Sequence, residues 1–306
     1  MKKILLIATG GTIASEYTEE GLTPQLSAKE LLQYIPSALE LCEIHTCEPF
    51  SVDSTNINAE HWIRLAALIE KDYKYYDGFV ICHGTDTMAY TASALSYLVQ
   101  NNRKPIVITG AQKPINLDVS DARLNLLDSI RFAAHPKSCG TVVVFGGRVI
   151  SGTRAKKIFS KSYNAFLSIN YPEIAVIHDN RIIFYIDEKD RINEQVRFYH
   201  KMNDRVLLLK LIPSLKAEAL YGLADSYDGL IVESFGVGGL PDYGGHEFEA
   251  LFGEWTKAGK MIVMSTQVTH EGSDMCIYRV GKQIKEKFPV LETYDMTLEA
   301  AVTKMM

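Results

Sequence analysis

Two kinds of apolar pattern alternate along the first half of the chain. Ile4 to Ala8, Phe79 to Cys82, Pro105 to Thr109 and Thr141 to Phe145 are short, unbroken and partly β-branched, as in strands buried on both faces of a parallel sheet. The stretches between them space their apolar residues by three, four and seven. Trp62, Leu65, Ala66 and Ile69 mark one helical face after Asn58. Met88, Ala92, Leu95 and Val99 mark a second, and Leu124, Leu127, Ile130 and Ala134 a third. Ser27, followed by Glu30 at the capping-box position, starts another helix, and Glu43 to Phe50 is a short extended stretch. Strands alternating with helices predict parallel βαβ units with right-handed crossovers, whose ligand site lies at the carboxyl ends of the strands. The fold class expected is α/β: a larger N-terminal domain with a mainly parallel sheet flanked by helices, plus a smaller C-terminal α/β domain.

The boundary between the two domains is marked by a loss of pattern. Between Asp179 and Arg205, charged runs such as Asp187-Glu188-Lys189-Asp190-Arg191 carry neither a helical nor a strand period. Residues 1–190 are therefore expected to form the N-terminal domain, 191–205 a linker, and 206–306 the C-terminal domain. Val206 to Leu211, Gly229 to Val232 and Met261 to Met264 read as strands of the latter, with helical stretches near 214–224 and 246–258. The chain stops at Met306 inside a helix that begins near Thr297, so a longer natural protein is expected.

Composition narrows the classes. With 32 basic against 37 acidic residues and a net charge of −5, nothing basic enough for nucleic acid stands out. No apolar run approaches the roughly 18 residues of a membrane span. The opening apolar stretch runs straight into a Thr-Gly-Gly-Thr turn and makes no export signal. A cytoplasmic protein with no membrane or nucleic-acid partner is expected. The five cysteines are odd in number and scattered, and read as reduced core residues. Cys42, His45 and Cys47 fall close together but match no zinc spacing, so no metal is expected.

Candidate chemistry enters with what each strand runs into. The first strand ends in Thr9-Gly10-Gly11-Thr12, the second in His83-Gly84-Thr85-Asp86-Thr87, and the third in Gly110-Ala111-Gln112. These loops should share one edge of one sheet, bringing together the hydroxyls of Thr12 and Thr85, the carboxylate of Asp86, and glycine amides at Gly11 and Gly84. A threonine hydroxyl is a weak nucleophile until a base takes its proton. Gly152-Thr153-Arg154-Ala155-Lys156-Lys157 offers a lysine for that task. Thr12 as nucleophile, Thr85, Asp86 and Lys157 as a proton relay, and amides near Gly11 and Thr85 as an oxyanion site describe acyl transfer to threonine followed by hydrolysis. His83 is an alternative base, although a histidine that ends a buried strand before a tight turn more often serves the structure. A nucleotide site is disfavoured, because neither a GxGxxG after the first strand nor a P-loop pattern occurs. A binding module without chemistry explains the glycines and hydroxyls but gives the lysine and aspartate no task.

Thr9 to Ala14 and His83 to Ala89, taken together and in this order, resemble the two signature motifs of the bacterial-type L-asparaginase family, and the resemblance runs along nearly the whole chain. Tyr90 to Tyr97 and the lack of an export signal are similar to its cytoplasmic, type I branch. The resemblance implies hydrolysis of L-asparagine to L-aspartate and ammonia through an acyl-threonine, with no cofactor, in a homodimer or homotetramer. It implies Thr12 as nucleophile, Thr85 and Lys157 as relay, and Asp86 as the partner of the substrate ammonium. Ser54 and Thr55 match the positions that hold the α-carboxylate. Gly11 and Gly84 line the site, and Ala111 matches the residue whose carbonyl faces the side-chain amide. Asp274 is the candidate for a carboxylate lent by the second chain of a dimer. Two alternatives stay open: the related amidotransferase subunit that releases ammonia for a misacylated tRNA, and an asparagine-binding member with impaired catalysis. The chain also departs from the family. Gly21-Leu22 stands where type I sequences often read Gly-Tyr, leaving Tyr17 as a substitute lid residue. Lys156 stands beside Lys157 where a threonine is common, which leaves the choice of relay lysine open and sets two like charges side by side. The C-terminus is some tens of residues shorter.

Overall fold

The computed structural model describes residues 1–19, 21–187, 194–241 and 247–306. The chain divides into two compact units, residues 1–201 and 202–306. Most of the charged run expected at the boundary, residues 188–193, lies outside the described residues.

The first unit contains strands β1 (Lys3–Ala8), β2 (Ser15–Thr18), β3 (Gly21–Pro24), β4 (Glu43–Cys47), β5 (Gly78–Cys82), β6 (Val99–Gln100) and β7 (Ile106–Thr109). It continues with β8 (Thr141–Phe145), β9 (Arg148–Ser151), β10 (Ala155–Lys157), β11 (Phe166–Ser168), β12 (Ala175–His178), β13 (Arg181–Phe184) and β14 (Arg197–Phe198). Its helices are α1 (Ala28–Gln33), α2 (Ala59–Asp72), α3 (Met88–Leu98) and α4 (Ala122–Ala134). Eight strands form one sheet in the order β13-β12-β9-β8-β7-β5-β1-β4. From β8 to β4 every pair is parallel, as the apolar runs predict. β9, β12 and β13 extend the sheet with antiparallel pairs that the apolar pattern does not announce. These three strands are four residues long, and β13 shows only alternate, partial burial, so none presents a continuous apolar run.

Unbroken runs are needed because both faces of the parallel part are covered. Ile4, Leu6, Val80, Val107 and Val142 pack with Leu31 of α1 and with Leu126 and Ile130 of α4. The intervening Leu5, Ile7, Phe79, Ile81, Ile106 and Ile108 are equally buried, and Tyr73, just past α2, stacks on Phe79. α1 and α2 begin with capping boxes at Ser27/Glu30 and Asn58/His61, and α2 buries Trp62, Leu65, Ala66 and Ile69. The expected face of α4 needs correcting. Leu124 is 59% exposed, while Leu126, Ile130 and Ala133 are buried together with the polar Asn125, Asp128 and Ser129. Polar side chains hold core-facing positions there, so apolar spacing alone picks out a neighbouring stripe. Val99 likewise lies in β6, one residue beyond α3.

The second unit has four parallel strands in sequence order, β15 (Val206–Lys210), β16 (Gly229–Ser234), β17 (Met261–Thr266) and β18 (Leu291–Glu292). Its helices α5 (Glu247–Lys257), α6 (Arg279–Lys287) and α7 (Leu298–Met305) accompany a core that includes Val232, Phe252, Trp255, Met264 and Ile284. Thr297 caps α7 through its side chain. The helical stretch expected near 214–224 is instead a pair of 3-10 turns, Ala217–Leu220 and Leu223–Asp225, separated by Gly222 in a left-handed conformation. Among the described residues no helix is long and apolar enough to cross a membrane. All five cysteines are free thiols. Burial pushes Cys82 up to about 12, which makes it inert at neutral pH. His45 is engaged by Tyr76 and Glu43.

Candidate active site

Strand register sets the site. Ala8 pairs with Cys82 and Cys82 with Thr109, so β1, β5 and β7 end level with one another. Backbone bonds continue past the strand ends: Thr9 N–H donates to the Cys82 carbonyl (3.0 Å), His83 N–H to Thr109 (2.8 Å), and Val52 N–H to Thr9 (3.0 Å). Two glycines then bring the loops into contact. A Cβ on Gly11 would lie 2.3 Å from the Gly84 nitrogen, and one on Gly84 2.5 Å from the Ser54 hydroxyl. Gly11 also has φ +78°, so it needs both the space and the left-handed backbone that glycine allows. Thr12 follows Gly11 at the start of a 3-10 turn, Thr12–Ala14, and Thr85 follows Gly84. The structure therefore gathers Gly11, Thr12, Ser54, Gly84 and Thr85 at one sheet edge.

Lys157 reaches this edge from β10. Its ammonium donates to the Thr85 hydroxyl at 2.7 Å and to Asp86 Oδ1 at 2.6 Å. Thr85 is buried and the Lys157 side chain largely so, whereas the Asp86 carboxylate is 59% exposed. Thr85 in turn donates to Gln112 Oε1 at 3.3 Å, and Gln112 Nε2 donates to the carbonyls of Phe159 and Ser162. Successive side chains alternate across a strand, so Lys156 faces away from Lys157. Lys157 is the lysine in contact with Thr85 and Asp86. Nearby, Asp53 Oδ1 accepts from the Thr55 amide (2.8 Å) and hydroxyl (2.7 Å), and Thr87 donates to the Ser54 carbonyl at 2.7 Å. Ser54 is buried, and Thr55 is exposed with its hydroxyl turned to Asp53.

His83 is fully buried with both ring nitrogens engaged. Nδ1 lies 2.7 Å from the Gly84 carbonyl, which can only accept, so Nδ1 carries the proton. Nε2 then accepts from Thr91 (2.9 Å), and the Thr91 oxygen accepts from the Trp62 indole (2.9 Å). Burial pushes His83 down to about 4. The ring braces Gly84 and has no lone pair left for a nucleophile, in keeping with the structural role its position in the sequence favours.

The remaining candidates are more scattered. Ala111 is wholly buried. Asp274 belongs to the second unit and is exposed there. Its amide donates to the Val237 carbonyl (2.8 Å), and its Oδ1 accepts from Cys276 N–H (3.0 Å). The backbone of Tyr17 pairs with Leu22 in the β2–β3 hairpin; its side chain lies outside the described residues. The sequence reading missed Gln112 as a partner of Thr85. It also missed Asp121 and Asn125, which hold the 110–113 loop through buried bonds. A signal was present, since an acid just before a helix and an amide four residues on lie one turn apart on the same side. Among the described residues, no three His, Cys, Asp or Glu side chains gather as a metal site would need. A hydroxyl, an ammonium shared between hydroxyl and carboxylate, and glycine amides suit acyl transfer.

Comparison with known proteins points the same way. The family profile described as "Asparaginase, N-terminal" matches residues 3–190, and that described as "Glutaminase/Asparaginase C-terminal domain" matches residues 205–306. The L-asparaginase of Thermococcus kodakarensis is 39% identical over 306 residues, covering 99% of this chain and 92% of that protein. The solved structure of the thermostable L-asparaginase from the same organism matches with a TM-score of 0.91 at 38% identity, covering 99% of this chain and 92% of that one. L-asparaginase I from Vibrio cholerae matches with a TM-score of 0.87 at 29% identity, over 99% of this chain and 91% of that one. A glutamyl-tRNA(Gln) amidotransferase subunit of Pyrococcus abyssi is 31% identical, covering 100% of this chain but 72% of its own length.

Proposed function

The chain belongs to the asparaginase family, and on that premise we propose that it hydrolyses L-asparagine to L-aspartate and ammonia through an acyl-enzyme on Thr12. The observation that carries this reading is the Lys157 ammonium bridging Thr85 and Asp86, at the edge where the contact of Gly11 with Gly84 gathers Thr12 and Thr85. With both of these bonds donated by Lys157, this is the resting arrangement. The substrate's α-ammonium competes with Lys157 for Asp86, and its α-carboxylate lies near Ser54 and Thr55. Displaced from Asp86, the Lys157 ammonium gives one proton to solvent water, and the resulting amine takes the proton that Thr85 passes on from Thr12. The Thr12 oxygen bonds to the carboxamide carbon, and the oxyanion meets amides near Gly11 and Thr85. Collapse expels the amide nitrogen, which takes up the proton and leaves as ammonia. Water then attacks the ester by the same relay and frees aspartate.

The enzyme acts in the cytoplasm as a homodimer or homotetramer, in which one chain lends Asp274 to the Thr12 site of another. Release of ammonia for a tRNA-linked amidotransferase is the second reading, favoured by the 31% identity to the Pyrococcus abyssi protein. The test is ammonia release by the purified protein from L-asparagine, with L-glutamine alongside and Thr12→Ala as control. Release from asparagine that disappears in the variant is expected. Release that persists in Thr12→Ala rules out this nucleophile, and preference for glutamine favours the second reading.

A further inference from the structure

We propose that Asp121 is a positioning residue that aims the Ala111 carbonyl at the substrate carboxamide, and that through this peptide the site tells asparagine from its product. The proposal rests on the asparaginase reading above. Asp121 precedes α4 and is 8% exposed. Its Oδ2 accepts from Gln112 N–H at 2.9 Å and its Oδ1 at 3.1 Å, and Oδ1 also accepts from Lys113 N–H at 3.1 Å. Asn125, one turn into the helix, donates to Asp121 Oδ2 (3.2 Å) and to the Gly110 carbonyl (2.9 Å), while its own oxygen accepts from Gly146 N–H (2.9 Å). The loop is thus gripped on both sides of Ala111. Burial of a carboxylate raises its pKa, and the N–H donors of Gln112 and Lys113 counter that rise. A buried acid is retained here only together with a full set of partners.

The consequence for Ala111 follows from peptide geometry. The described chain has no cis peptide, so the C=O of Ala111 lies antiparallel to the N–H of Gln112 in one plane. Fixing that N–H on Asp121 points the Ala111 carbonyl the opposite way. Among the described residues this carbonyl has no hydrogen-bond partner, although Ala111 is wholly buried. A buried acceptor held in one direction and left without a donor is suited to receive one from a ligand. The negative charge at the N–H end also polarises the peptide and makes its oxygen a stronger acceptor. Asparagine presents N–H donors at its side-chain end. Aspartate presents only acceptors there, which the aimed oxygen repels.

Asp121→Asn keeps the shape but leaves Lys113 N–H or Gln112 N–H without its acceptor. The readout is the asparagine kcat and KM against the inhibition constant of L-aspartate, with the melting temperature as a check of folding. Asparagine kcat/KM is expected to fall on the order of tenfold or more, while aspartate inhibition stays within about twofold. Equal losses for both ligands, or no change in either, overturn the proposal, because a merely structural residue cannot move one without the other. If Asp121→Asn does not fold, Asn125→Ser is read by the same ratio, since it removes the strut between Asp121 and Gly110. Wild type inert towards asparagine overturns the underlying reading as well; active wild type with parallel losses overturns the clamp alone.

Discussion

Lys157 and Lys156 are neighbours in sequence with different surroundings, and the strand period is what separates them. Lys157 Nζ sits within 2.7 Å of Thr85 and 2.6 Å of Asp86, while Lys156 is turned to the other face of the ribbon. Lys157→Met should therefore cut turnover by about 100-fold or more if, as proposed, Lys157 is the terminal base of the relay. Lys156→Met should stay within about threefold of wild type. Steady-state assays of the two variants check this, and a large loss in Lys156→Met would transfer the role to that residue. Thr12, Thr85, Asp86 and the glycines were legible in the sequence because strand ends and loops announce them. Gln112 was not, because its contact with Thr85 depends on a side-chain reach that no spacing encodes.

At the scale of elements, the parallel strands and capped helices could be read because burial on both faces and N-terminal capping each leave a local mark. β9, β12 and β13 could not, because four-residue antiparallel strands need only a few apolar side chains. α4 was misread by its polar core-facing residues, and one of them sets a pH dependence. Burial pushes Asp128 from 3.8 up to about 6, only partly offset by Arg131 and His178. Between those values the folded state binds the proton more tightly than the unfolded chain, so this residue makes stability fall as pH rises. His83 acts in the opposite sense: lowered from 6.5 to about 4, it makes stability rise with pH across that window. Asp128→Asn should raise stability at pH 7.5 by about 1–2 kcal/mol, a gain that fades near pH 4. The variant should also show a steeper rise of stability from pH 4 to 6, because the His83 contribution is no longer opposed. Thermal melts of both proteins across that range check the sign, and a gain that grew at low pH would contradict it.

At the scale of the whole molecule, the proposed site draws Thr12 from one chain and Asp274 from another. Thr12→Ala and Asp274→Ala chains, each inactive alone, should then restore activity when refolded together. Random pairing makes half of the dimers mixed, and each mixed dimer has one intact site of two, so about a quarter of wild-type activity is expected. No recovery above the separate variants would place all essential groups within one chain. The Thr12 loop and the Thr85 loop extend from strands of the eight-stranded sheet, whereas among the described residues β10 pairs only with β11, in a two-stranded ribbon outside it. Such ribbons are marginal by themselves and open at less cost than a sheet. In a urea titration, ammonia release should therefore disappear at a lower denaturant concentration than the circular dichroism of the fold. Ageing or heat-stressed preparations would then contain intact, folded and silent molecules, whose activity returns on cooling because the ribbon only has to close again.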